Sequence, residues 1–241
     1  MLGDGRVHML GDATWPQIDA EPPAVLIVPV GAVEQHGPHL PLDTDTRVAV
    51  AVARTVAAAT PGTVCAPALA YGASGEHEGF PGTVSIGTEA LAAILLEYGR
   101  SACRWVPRLL LINGHGGNAQ AVAGAVRRLR YEARDVAWAA CDPRGSDPHA
   151  GFAETSMLLH LCPESVRLSM IEVGDTRPLT ETLPLLRAGG TRAVTANGIL
   201  GDPRAATAAD GLRLFDELTA RIVAATRTWA PDEHGRLKAG R

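Results

Sequence analysis

Short apolar runs alternate with amphipathic stretches along most of the chain. Residues 24–30 (AVLIVPV) form an apolar run bounded by Pro22-Pro23 and Gly31, the pattern of a strand covered on both faces in a parallel sheet. Residues 45–58 then have helical character and stop near Pro61-Gly62. A second strand is predicted over 63–70, running into the glycine-rich stretch 71–82. Residues 88–102 follow as an amphipathic helix with Thr88 as its N-cap. Residues 108–113 (RLLLIN) form a third strand, and Gly114-His115-Gly116-Gly117 turns out of it into an alanine-rich helix over 118–134. A fourth strand over 135–141 and a helix over 149–161 come next. Residues 178–198 lack periodicity and contain Gly189-Gly190, which predicts a long surface loop or arm. A terminal helix spans 206–229. Strand and helix signals in this order predict one α/β domain over 1–241, a three-layer α/β/α sandwich with a mostly parallel central sheet. The ends, 1–8 and 231–241, are expected to be flexible.

Composition narrows the class. The 241 residues are 46% hydrophobic but only 4% aromatic, so burial must come from many small aliphatic side chains. A net charge of −4 with no Lys/Arg-rich run speaks against nucleic acid and against an anionic membrane surface. Cys65, Cys103, Cys141 and Cys162 include no C-x-x-C pair, as expected of a reducing, cytoplasmic setting rather than a disulfide scaffold. The first residues carry acid and glycine where a secretory signal needs a positive flank and an apolar run, and Met9 is a plausible alternative start. No apolar stretch approaches the length of a membrane span.

The unusual polar residues fall where an open parallel sheet places its ligands, at the carboxyl ends of strands. Glu34 and His36 follow the first strand, His115 the third, and His149 with Glu154 the fourth. In an extended segment the i, i+2 spacing of Glu34 and His36 points both side chains to one side. Asp45 lies nine residues beyond His36, at a helix start that favours a carboxylate. Such mixed nitrogen and oxygen donors suit a divalent metal. If Asp45 bridges two cations, His115 and Glu154 complete two sets of three ligands, and paired metals about 3.5–4 Å apart activate water for hydrolysis without a protein nucleophile. Within 72–82 (GASGEHEGFPG), Ser74 and Glu76 are expected in a wall of the substrate pocket, with Gly116 and Gly117 beside them. The turn at 113–118 could alternatively cradle a phosphate in a nucleotide- or flavin-binding module, but it lacks both the G-x-G-x-x-G spacing and the Walker lysine.

At these positions the chain resembles the creatininase (creatinine amidohydrolase) family. The matching stretches are 28–46 (VPVGAVEQHGPHLPLDTDT), 113–118 (NGHGGN), 149–156 (HAGFAETS) and 197–206 (NGILGDPRAA). The resemblance implies an amide-hydrolysing di-metal centre. One cation would be held by Glu34, Asp45 and His115 and the other by His36, Asp45 and Glu154, with zinc, iron(II) or manganese as the metals. It makes His149 the candidate for proton transfer or carbonyl polarisation, and it implies a homo-oligomer, a hexamer or similar ring. Two departures stand out. Creatininase proper has a catalytic glutamate at the position of Gly117, and a tryptophan where this chain reads Gly145-Ser146-Asp147-Pro148. Both argue for a roomier pocket than creatinine needs. Within the family the likeness is strongest to a subgroup that removes a C-terminal Val-Tyr dipeptide from a modified precursor peptide during assembly of a redox cofactor. The alternative within the family is a deformylase or cyclic-amide hydrolase acting on a small heterocycle.

Overall fold

A computed structural model describes residues 9–238. Its centre is a four-stranded sheet built from β1 (Val25–Val30), β2 (Thr63–Cys65), β3 (Arg108–Asn113) and β4 (Asp135–Ala140), in the order β2-β1-β3-β4 with every pairing parallel. The helices are α1 (Trp15–Ala20), α2 (Thr44–Ala59), α3 (Thr88–Ala102), α4 (Ala119–Tyr131), α5 (Phe152–Leu161), α6 (Leu179–Gly189) and α7 (Ala208–Thr228). Strand residues alternate between two cores, as a period of two requires. Val25, Ile27, Leu110, Ile112, Ala137 and Ala139 pack with α2, α5 and α7 on one face. Leu26, Val28, Val30, Leu109, Leu111, Val136 and Trp138 pack with α3 and α4 on the other. A fully buried leucine or isoleucine of this kind contributes roughly 1.5–3 kcal/mol through removal from water. The α/β/α sandwich expected from the alternating pattern is thus the observed one.

Four expectations need correction. The second strand stops at Cys65 rather than running to 70, since Pro67 has no N–H to continue a ladder; only a single bridge, Val30 to Leu69, prolongs the contact. Helix α3 starts at Thr88, but its cap is Gly87 at φ 78° and Thr88 is the first helical residue. Residues 178–198 are not a loop: α6 lies there, with Pro184 inside it, and that proline masked its helical signal. Of the tail 231–241 expected to be flexible, the described part, residues 231–238, packs back against the sheet. Trp138 N–H donates to the Gly235 carbonyl, Leu237 N–H donates back to Trp138, and Leu237 is buried. Two helices are also shorter than their patterns, with α4 ending at Tyr131 and α5 beginning at Phe152. The expected flexible leader 1–8 lies outside the described residues, as do residues 239–241. Among the described residues no helix is long and apolar enough to cross a membrane, and the four cysteines are unpaired.

The chain leaves β1 toward β2 on one side and β3 toward β4 on the other, so the order reverses between β1 and β3. Loops diverge at such a point and leave a crevice outside the strand ends. Close packing fixes the crevice floor. A Cβ on Gly114 would sit 2.4 Å from the Asp45 carbonyl oxygen and 3.1 Å from Ala49 Cβ. Only glycine lets β3 approach the first turn of α2. Gly114→Ala should therefore destabilise the protein by about 1–3 kcal/mol through overpacking against backbone. Gly124→Ala, where an added methyl meets nothing within 4 Å, should stabilise α4 by about 0.5–1 kcal/mol. Chemical denaturation of the two variants checks the contrast.

Candidate metal centre

The segment after β1 is held extended by the Glu34 N–H, which donates to the Leu42 carbonyl, and by a bridge between Val33 and Val84. Glu34 and His36 both point inward and are fully buried. Asp45 arrives from the first turn of α2, where the helix dipole favours its charge. His115 leaves the end of β3, and Glu154 lies in the first turn of α5. Asp147 organises that helix start by accepting the N–H groups of Phe152 at 2.5 Å and Ala153 at 3.2 Å. Glu154 accepts the Ala150 N–H at 2.6 Å. His149, just before the helix, is pinned by paired backbone bonds with Leu200.

Three groups of donor atoms result, each drawn together within 4.8 Å: Glu34 with Asp45 and His115, His36 with Asp45 and Glu154, and Glu34 with His36 and His149. Asp45 joins the first two. Its Oδ1 lies 3.2 Å from His36 Nε2 and its Oδ2 lies 3.3 Å from His115 Nδ1. His36 Nδ1 lies 3.1 Å from the Glu34 carbonyl oxygen. A carbonyl only accepts, so Nδ1 carries the hydrogen and Nε2 is presented to the carboxylates.

The electrostatics are those of a cluster built for cations. Both carboxylate oxygens of Glu34 and Oδ2 of Asp45 are buried without an aligned hydrogen-bond donor. The nearest nitrogens to Glu34, His115 Nε2 at 3.1 Å and His77 Nε2 at 3.3 Å, do not meet hydrogen-bond geometry. Burial, with Asp45 beside it, pushes the Glu34 carboxyl up to about 8. Burial opposes charge on His36 too, but the Asp45 carboxylate outweighs it and raises the imidazole to about 10. His115 is likewise raised, by Glu34 and Asp45 against its burial. The two histidines overcome burial to hold Asp45 well below the usual carboxylate range. Carboxylates left unpaired in a dry interior are costly, and divalent ions bound by these N/O donors would remove that cost.

A cleft of about 810 Å³ opens over the cluster, lined on one side by Glu76, His77 and Gly114–Gly117 and on another by Leu179, Leu183, Leu186 and Arg187 of α6. Glu76, Gly116 and Gly117 thus border the cleft as expected. Ser74 does not: it is fully buried and outside the cleft lining. The space a side chain at 117 would need is already taken, since a Cβ there would lie 2.5 Å from Glu76 Oε1 and 2.4 Å from His115 Nε2. The cleft therefore keeps a carboxylate beside His115, contributed by the 72–82 loop. Three features escaped the sequence pattern: Asp147 as the organiser of α5, Gln35 as the partner of His77 and His149, and the leucine-lined face of α6. The first could have been found from its spacing ahead of a helix start; the others depend on tertiary placement.

The creatininase (creatinine amidohydrolase) family matches residues 11–226, and the chain belongs to it. A protein from Mycolicibacterium smegmatis named mycofactocin precursor peptide peptidase is 54% identical over 233 residues, 95% of this chain and 94% of that one. Two solved structures, described as creatininase Mn and as a mutant creatininase of Zn-Zn type, each superpose with a TM-score of 0.77 at 27% identity, covering 92% of this chain and 98% of theirs.

Two outcomes are expected. Asp45→Ala removes the donor shared by both groups and should reduce the divalent metal bound by the unsubstituted protein at least severalfold, measured by elemental analysis of protein purified without chelator. Binding must displace the protons that the raised His36, His115 and Glu34 carry at neutral pH. Apparent metal affinity should accordingly rise with pH between 5 and 8, by up to about tenfold per unit for each proton displaced, in titration calorimetry.

Proposed function

We propose that this protein is a di-metal peptidase that releases the C-terminal Val-Tyr portion of a modified mycofactocin precursor peptide during assembly of a redox cofactor. The observation that carries the reading is the pair of donor groups sharing Asp45 at the floor of an open, leucine-walled cleft. Its support from relatives is the 54% identity to the M. smegmatis peptidase. Glu34, Asp45 and His115 would hold one divalent ion and His36, Asp45 and Glu154 the other. Zinc, iron(II) and manganese all suit these donors. When bound, the ions supply Lewis acidity toward the scissile carbonyl and lower the pKa of water toward neutrality.

The protein's own contribution is orientation and proton handling. His149 Nε2 lies 2.8 Å from the Gln35 carbonyl oxygen, so Nε2 bears the hydrogen and the Nδ1 lone pair faces the cluster, 3.7 Å from Glu34 Oε1. Burial, with His36 and His77 nearby, keeps His149 well below the usual histidine range and hence neutral. Its Nδ1 can take a proton from the attacking water and pass it to the departing amide nitrogen. The leucines of α6 offer an apolar wall to an aromatic C-terminal side chain. We place the protein in the cytoplasm as a homo-oligomer, a hexamer or similar ring, in keeping with its family.

A deformylase or cyclic-amide hydrolase acting on a small heterocycle would use the same floor, but gains nothing from so open a cleft. A nucleotide- or flavin-binding role is disfavoured by charge, since Gly114 abuts the Asp45 backbone and Gly117 abuts the Glu76 carboxylate, surroundings that repel phosphate. Incubating metal-loaded protein with the modified precursor and following it by mass spectrometry should show the C-terminal fragment released and the precursor shortened by two residues. An intact precursor in the presence of bound metal contradicts the proposal. His149→Ala should keep its metal while turnover falls by about 10²–10⁴-fold.

A further inference from the structure

His77 is a buried histidine at the edge of the cleft to which the reading above assigns nothing. Its partner is Gln35, the residue between Glu34 and His36. The orientation of the Gln35 amide is fixed from both ends. Its Oε1 accepts the Gly37 N–H at 2.9 Å, and its Nε2 lies 3.0 Å from the Gly198 carbonyl oxygen, which can only accept. The same Nε2 lies 2.8 Å from His77 Nδ1. An amide nitrogen only donates, so Nδ1 of His77 must be the unprotonated nitrogen. The Thr191 hydroxyl, 3.3 Å from that Nδ1, is a second donor. The ring hydrogen is thereby placed on Nε2, on the side of Glu34 and the cluster.

His149 is held by the same residue in the opposite sense. Its Nε2 donates to the backbone carbonyl of Gln35 at 2.8 Å. The Gln35 side-chain nitrogen also lies 3.0 Å from that Nε2, but both of its hydrogens are already directed to Gly198 and His77, and both nitrogens are then donors. The two rings lie with centroids 4.3 Å apart. One therefore presents a hydrogen to the cleft and the other a lone pair. Gly198 makes this clamp possible: at φ 84°, with a Cβ that would lie 1.8 Å from Gln35 Oε1, it tolerates no side chain.

From this arrangement we infer that Gln35 holds His77 and His149 in the same Nε2–H tautomer but in opposite orientations, making His77 Nε2–H a catalytic hydrogen-bond donor to the carbonyl oxygen of the substrate amide. The inference rests on the amide-hydrolase reading of the site. The hydrogen is not already spent on Glu34, because the 3.3 Å contact to Oε1 is not aligned as a hydrogen bond. A neutral imidazole donor suits an oxygen that gains charge as water adds to the carbonyl carbon, since its dipole is fixed before reaction. Gln35 is a positioning residue, acting through both rings.

The test begins with ¹⁵N NMR of histidine-labelled, zinc-loaded protein, which reads tautomers without substrate. The expected spectrum shows His77 protonated at Nε2 alone and His149 protonated at Nε2 alone. Protonation of His77 at Nδ1, or a metal-bound shift at its Nε2, overturns the inference whatever the substrate proves to be. A failure of the peptidase reading would leave these tautomers unchanged, so the two failures are distinguishable. Kinetics on the cleaved amide then test the role. His77→Ala should lose about 10²–10³-fold in kcat with KM and metal content held. His77→Gln, whose amide nitrogen can stand where Nε2 stood, should recover a tenfold or greater part of the loss. Gln35→Met should give mixed His77 tautomers and a kcat loss without a matching KM change. If His77→Ala instead weakens metal binding while the reloaded variant turns over normally, His77 merely orients Glu34 and the inference falls.

Discussion

Everything in the site depends on one buried carboxylate. Asp45 sits in the first turn of α2, nearly sealed from solvent, between two imidazoles that belong to different donor groups. Its charge cannot be hydrated there, so the fold must compensate it locally. The helix terminus does so in part, and His36 and His115 do so more strongly. Two cations sharing Asp45, as proposed above, would complete the compensation, and the position that makes the aspartate costly without them would make it a good bridge with them.

The fold is arranged to hold that carboxylate still. Gly114 at the end of β3 and Gly31 after β1 pack directly on the backbone of α2 at Asp45 and Thr46. The strand order reverses between those two strands, so the loops carrying Glu34, His36 and His115 diverge above the aspartate. Asp147 and Leu200 tie down the start of α5, which brings Glu154 and His149 in from the far side. Rigid support of this kind is what keeps ligands near productive geometry.

Much of this was legible in the sequence, and the reasons differ by element. The strands 25–30, 108–113 and 135–140 are apolar runs bounded by turn residues, a signal that no tertiary contact overrides. Glu34, His36, Asp45, His115 and Glu154 stood out as ionisable residues at strand ends, and the folded chain draws them together. Helix α6 was not legible, because Pro184 interrupts its pattern and its leucines face a cleft rather than a core. The packing of residues 231–238 against the sheet is missed for a different reason. Buried Leu237 pairs with Trp138, nearly a hundred residues earlier, and local composition carries no trace of that. Ser74 resembles a pocket residue by its neighbours Glu76 and His77, but the fold buries it completely, outside the cleft lining. Gln35 was invisible as a functional residue since its role depends on Gly198 and His77, both remote in sequence.

The proposed centre has two cations that share Asp45. Anomalous diffraction from crystals of metal-loaded protein tests it most directly. Two peaks about 3.5–4 Å apart are expected, one beside Glu34 and His115, the other beside His36 and Glu154, with a carboxylate oxygen of Asp45 bound to each. A single peak, or two peaks of which only one contacts Asp45, would contradict it.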